Sequence, residues 1–131
     1  MAVIATDTQR FSNVVKAELW PELAWCRAIV TLNGPAATLQ VGQVLGKVTA
    51  DGKYKVAIQT AVDGSAVADA IVVQPVTVAA STDTKVVVLL KGPAAVSKAA
   101  LILDASYDLD AEKAAVYAAL EAKNIKVLET V

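Results

Sequence analysis

Along most of the chain, apolar residues fall in short runs or alternate with polar ones, and Gly, Pro, Asn and Asp separate the runs. That pattern predicts short β-strands joined by turns. Ala28 to Leu32 is an apolar run closed by Asn33-Gly34-Pro35, and Leu39 to Thr49 resumes it with Val41, Val44, Leu45 and Val48. Asp51-Gly52 supplies the positive φ that a tight hairpin needs, and Lys53 to Gln59 alternates behind it, so a β-hairpin is predicted there. Asp63-Gly64 marks a second turn. Val67 to Val78 favours strand throughout but is broken by Pro75, which cannot donate to a central ladder and so implies an edge or a bulge. Ser81-Thr82-Asp83 turns the chain again, and Lys85 to Lys91 is a β-branched run with charged ends, the pattern of a strand buried on both faces, stopped by Gly92-Pro93.

One segment has helical character. Asp108 is positioned as an N-cap, Asp110 and Glu112 suit the positive end of the helix dipole, and Ala111 to Lys123 consists almost wholly of good helix formers. Val116, Tyr117 and Leu120 share one face, Asn124 suits the left-handed position after the helix, and Ile125 to Leu128 reads as a final strand. At the other end, Met1 to Asn13 is polar and aperiodic apart from Phe11, which predicts an arm that orders on a partner. In Val14 to Trp25, Pro21 argues against one continuous helix, so an irregular or short helical lead-in is expected there. The expected organisation is an arm and lead-in over residues 1–27 and one β-rich domain over 28–131.

Composition changes the picture in one respect. Of 131 residues, 56% are hydrophobic and only 19% charged, with a mean hydropathy of +0.52. Ordinary domains carry about a quarter charged residues, so this chain has apolar surface to spare, and subunit contacts are the usual use of such a surplus. A membrane is a poor alternative: the longest uncharged stretch, Ala28 to Gly46, contains Asn33-Gly34-Pro35, Gln40 and Gln43, whose polar groups would lie unpaired in lipid. The first seven residues lack the basic-then-apolar pattern of an export signal. A net charge of −1 offers no basic field for nucleic acid. Cys26, the single cysteine, cannot form an intrachain disulfide and is expected to be a buried small hydrophobe.

The chain has no histidine, which removes the commonest general base and metal ligand and with them the usual triads and zinc sites. Gly42-Gln43-Val44-Leu45-Gly46-Lys47 has a phosphate-loop look, but with three intervening residues instead of four and Val48 in the hydroxyl position; strand and bulge glycines are the expected reading. Asp104, Asp108, Asp110 and Glu112 form the densest acidic cluster, without the glycine a calcium loop needs at its turn, so helix capping is expected over metal binding. Asp63-Gly64-Ser65 is expected to be a side-chain-stabilised turn. Trp20 and Trp25 suit either a core or an interface, and the adjoining arm favours the interface. No catalytic set, cofactor or metal site is expected.

Taken in order, Val41 to Thr49, Gly52-Lys53-Tyr54, Asp63 to Ile71, Val76 to Ala80, Lys85 to Leu90 with Lys91-Gly92-Pro93-Ala94, and Leu120 to Val127 resemble the head decoration proteins of tailed bacteriophages. Arg10-Phe11-Ser12 and Glu18 to Trp25 are similar in kind to that family's lead-in. The resemblance implies a mainly β, β-clip or β-tulip-like domain with one C-terminal α-helix and an extended N-terminal arm. It implies a homotrimer at local threefold sites on the outer surface of the expanded capsid, stabilising the shell, with the major capsid protein as partner. Arg10, Phe11, Trp20, Pro21 and Trp25 are the expected capsid or subunit contacts, and the virion, after assembly in the host cytoplasm, is the expected location. Two alternatives remain: a β-clip trimeric nucleotide hydrolase using Asp63 or Asp69, or a non-phage shell or adhesion subunit.

Overall fold

The structure, a computed structural model, describes residues 14–18 and 26–128. Its elements are β1 (Val15–Glu18), β2 (Arg27–Leu32), β3 (Ala37–Leu39), β4 (Val44–Lys47), β5 (Tyr54–Val56), β6 (Ala68–Val72), β7 (Val76–Val78), β8 (Thr84–Leu89), β9 (Ala94–Ser97), a 3-10 turn at Lys98–Ala100, α1 (Asp110–Ala122) and β10 (Ile125–Leu128). The chain is mainly β with one C-terminal helix among the described residues, as the strand pattern and the single helical segment lead one to expect. Strands β2, β5, β4, β6 and β8 close into a barrel, β1, β9 and β10 form a three-stranded sheet with β9 central, and β3 and β7 pair as a ribbon.

Strand periodicity explains why two hydrophobic clusters flank one barrel wall. Successive side chains of a strand point to opposite faces. Val86 and Val88 of β8 join Leu32, Leu45, Ala70 and Val72 in a cluster that reaches the ribbon through Leu39 and Val78. Leu89 joins Val44, Ile71, Val96, Leu120 and Ile125 in the other, which ties the barrel to the helix and the three-stranded sheet, with Val87 packed against it. The two-sided burial predicted for this run is therefore present, and its cause is a separate core on each face. Leu32, Leu45, Ile71, Leu89, Leu120 and Ile125 are all buried to within 1%, each contributing about 1.5–3 kcal/mol of apolar burial.

Several local expectations hold. The hairpin joins β4 to β5 with Lys47 opposite Tyr54 and Leu45 opposite Val56, and its loop is closed by Val48 N–H donating to Lys53 C=O at 2.8 Å. Pro75, expected at an edge or a bulge, instead lies outside any strand, where it separates β6 of the barrel from β7 of the ribbon. Asn124 takes φ +67°, and Ile125–Leu128 follows as β10, parallel to β9.

Four more expectations are corrected. Val15–Glu18, expected to be irregular or helical, is a strand antiparallel to β9, because Val14 and Val15 are buried in the helix-side cluster. The run from Leu39 to Thr49 is interrupted at Gly42, whose φ of +102° turns the chain between β3 and β4. The helix N-cap is Leu109 instead of Asp108, and the side chain of Glu112 reaches back to accept the Leu109 N–H at 3.2 Å, one half of a capping box. The fourth is an omission. Ala94–Ser97 is the central strand of a sheet although Ala-Ala-Val-Ser has little strand propensity; pairing on both sides by β1 and β10 decides it.

Candidate interaction surface

The groups with most chemical potential are engaged in holding elements together. Asp69 on β6 accepts the Tyr54 hydroxyl at 2.7 Å on Oδ2 and the Lys123 ammonium at 2.8 Å on Oδ1, joining β5, β6 and the end of α1. Burial opposes ionisation of Asp69, but the hydrogen bonds from Lys123 and Tyr54 and the charges of Lys123 and Lys47 outweigh it and hold the carboxyl below its ordinary value. Burial, and next the bond to Asp69, push the Tyr54 phenol well above its usual range. Asp63 is paired with Lys55 at 2.5 Å and accepts both the N–H of Ser65 at 3.1 Å and its hydroxyl at 2.6 Å. Those contacts, Lys55 first, pull its carboxyl far down. Ser65 thus spends its hydroxyl proton on a turn.

The acidic cluster disperses into local roles. Asp104 accepts the Ser106 N–H at 3.0 Å, Glu112 accepts that of Leu109, and among the described residues no three acidic, Cys or His side chains are arranged about a common cation position. The phosphate-loop look of residues 42–47 resolves into close packing. A Cβ on Gly46 would lie 2.0 Å from the Ser65 carbonyl oxygen, at a register shift of β4 against β6, which is the bulge reading. Cys26 is buried, and its thiol donates to the Pro93 carbonyl at 3.4 Å.

The expected contact residues Arg10, Phe11, Trp20, Pro21 and Trp25 lie outside the described residues. Their flanks are visible. Glu18 at the end of β1 and Arg27 at the start of β2 form a two-pronged ion pair, with Arg27 Nε donating to Glu18 Oε2 at 3.1 Å and Nη2 to Oε1. The Glu18 side chain is 4% exposed. Such a bidentate, charge-assisted pair is among the stronger side-chain hydrogen bonds, and it ties the end of β1 to the start of β2.

Sequence reasoning missed an apolar region at another end of the molecule. Four large hydrophobic side chains of the described residues are strongly exposed: Ile29, Val62, Val67 and Leu109. The last three sit on two loops that are stitched together: Gln59 N–H donates to Ser106 Oγ at 2.9 Å, and the Tyr107 hydroxyl donates to the Ala66 carbonyl at 2.6 Å. A cleft of about 240 Å³, whose walls include Leu32, Pro35, Leu39, Val56, Ile58 and Val78, meets the two loops at Ile58 and Asp104, and Val67 lines a different pocket with Lys47 and Asp69. The available signal was the absence of charge from Ala57 to Val62 within a long connection. On β2, residues 27–31 pair with β8 on one side, while β5 meets β2 only at Leu32.

Asp63, Ser65, Asp69 and Cys26 are thus engaged in contacts within the chain. The family model described as bacteriophage lambda head decoration protein D matches residues 6–125 of the chain. A comparison with curated proteins gave no match.

Proposed function

The chain belongs to the bacteriophage lambda head decoration protein D family, and from that premise we propose that it binds the outer surface of the expanded capsid as a trimer at local threefold sites and stabilises the shell. The family places it on the phage head as a structural protein of the virion. The observation that carries the reading is the match over residues 6–125. Supporting it are the chain's low charge and the engagement of Asp63 and Asp69 in structural contacts.

The proposed mechanism is linkage. A ligand that binds one state of a shell and not the other adds its binding free energy to that state alone. Binding restricted to the expanded lattice therefore opposes rupture under outward pressure from packaged DNA, and no bond need be made or broken. Residues 1–13 would act as the arm, adding a strand to the major capsid protein through backbone hydrogen bonds, which demand no special side chains. Arg10, Phe11, Trp20, Pro21 and Trp25 are the proposed anchors, within an arm and lead-in over 1–27 that precedes the β-rich domain over 28–131. The chain would be made and held in the host cytoplasm until the head expands. Protein surfaces are its proposed partners, with no role for nucleic acid, membrane or cofactor.

Co-sedimentation tests this directly. The purified chain should bind expanded capsids saturably and leave unexpanded capsids bare, and failure to bind either form would sink the proposal. Deletion of residues 1–13 should weaken binding while the remaining chain stays folded.

A further inference from the structure

We propose that Asn33-Gly34 is a site of spontaneous covalent modification, at which Asn33 turns into aspartate or isoaspartate and the tie from β2 to the turn before β8 is undone.

Asparagine is among the chemically labile residues, and its lability depends on how closely the next backbone nitrogen can approach the side-chain amide. Of the three asparagines, only Asn33 precedes a glycine; Asn13 precedes Val14 and Asn124 precedes Ile125, whose branched side chains crowd that approach. The surroundings of Asn33 leave the reaction open. Asn33 and Gly34 lie in the connection between β2 and β3 and are half-buried, so water reaches them. Among the described residues, no acceptor engages the Gly34 N–H, whereas the Asn33 N–H donates to the Tyr54 carbonyl and the Gly34 carbonyl accepts the Ser81 N–H, each at 3.0 Å. The nucleophile is thus uncommitted while the backbone on both sides of it is held.

Water is the one co-reactant. The Gly34 nitrogen bonds to Asn33 Cγ and gives up its proton, the Cγ–Nδ2 bond breaks, and Nδ2 leaves as ammonia. Water then opens the resulting five-membered imide. Cleavage between the nitrogen and Cγ gives aspartate, and cleavage between the nitrogen and the main-chain carbonyl carbon gives isoaspartate, whose main chain is longer by a methylene. Nothing is oxidised or reduced.

The structure assigns the product a consequence. Asn33 Nδ2 donates to Asp83 Oδ1 at 2.6 Å, and Lys53 Nζ meets the same oxygen at 3.0 Å. Either product replaces that donor with a carboxylate beside the Asp83 carboxylate, so a hydrogen bond gives way to like charges that share Lys53. Isoaspartate in addition displaces Gly34 and Pro35, which line the apolar cleft with Leu32 and Val56. The modification therefore alters the cleft wall and makes the chain more negative.

The experiment needs only the purified full chain, so its outcome is separate from that of the capsid-binding reading. Wild type and Gly34→Ala are incubated at mildly alkaline pH and followed by ion exchange and peptide mass mapping. Gly34 is outside the left-handed region, and a Cβ there would meet Lys55 Cβ at 3.1 Å, a contact that a small shift relieves; circular dichroism checks the fold. Wild type should gain a more acidic form carrying the mass change of NH2 replaced by OH at Asn33, as two products separable by chromatography, with Asn13 and Asn124 intact. Gly34→Ala should react severalfold more slowly. Asn33→Asp, which mimics the aspartate product, should unfold at lower urea concentration than wild type at neutral pH. An unreacted Asn33, equal reaction at Asn13 or Asn124, or wild-type speed in Gly34→Ala overturns the site. A wild-type unfolding midpoint in Asn33→Asp overturns the consequence assigned to it.

Discussion

The helix side of the molecule and its loop end are built from the same residues, Val, Leu and Ala, and treat them in opposite ways. On the helix side, α1 and the β1–β9–β10 sheet cover the barrel so completely that Leu120, Ile125 and Val96 are fully buried. At the loop end, hydrogen bonds such as Tyr107 to Ala66 hold two loops together, while Val62, Val67 and Leu109 face outward. Burial by secondary structure serves the fold of one chain. Exposure on tied loops suits contact with a partner, because a surface must be ordered before its partner arrives if binding is not to bear the whole ordering cost. Each of three substitutions pushes on one side of that contrast.

The largest effect is expected on the helix side. Leu120→Ala removes a fully buried side chain where the helix meets the barrel and should destabilise the fold by roughly 2–5 kcal/mol, the usual range for such a cavity. Urea unfolding followed by circular dichroism measures it. A loss near zero would mean that the helix side is less tightly packed than its burial indicates, and the contrast with the loop end would collapse.

A smaller effect is expected at the polar tie between α1 and the barrel. Asp69→Asn keeps a partner for the Tyr54 hydroxyl but removes the charge that Lys123 meets, and should cost about 1 kcal/mol at neutral pH. The pH dependence has a definite sign. The folded carboxyl lies below its ordinary value, so Asp69 contributes stability above the unfolded pKa of about 3.9, and that contribution is lost as pH falls from there through the folded value. The wild-type chain should therefore lose more stability than D69N between about pH 5 and pH 2, as read by unfolding midpoints across that range. The same variant bears on the rival enzyme reading: nucleotide turnover with magnesium that vanished in D69N or D63N would displace the structural role assigned to these carboxylates.

How much of this was readable beforehand follows from the range of the interactions. Asp51-Gly52, Asp63-Gly64 and Asn124 announce turns because left-handed backbone is a property of the residue and its neighbours. Lys85 to Leu90 announces a two-sided strand because both faces are written in consecutive residues. Ala94–Ser97 announces nothing; its place comes from Val15 and Val127, both of which pair with Val96 from distant parts of the chain. The same limit hid the loop end. Sequence shows that Ala57 to Val62 is uncharged, but whether Val62 points inward or outward depends on the Lys55 and Ser106 contacts that fix its loop. The residues singled out for contact, with Trp20 and Trp25 among them, were chosen by type, and the visible support for that segment is the Glu18–Arg27 pair at its ends.

The smallest effect on stability is expected at the loop end, and it is the sharpest test of the contrast. Val62 is fully exposed, so Val62→Asp removes no packing and should leave the unfolding midpoint where it is in the wild-type chain, since substitutions at such positions rarely matter to folding. An apolar side chain with no role in one chain's stability, held outward by neighbours that do have such roles, has its energetic value only when something covers it. An unchanged midpoint together with weakened capsid binding would separate the two uses of apolar residues within one molecule. A lowered midpoint would show instead that Val62 supports its own fold, and the division between a helix side built for folding and a loop end built for contact would fail at its most exposed residue.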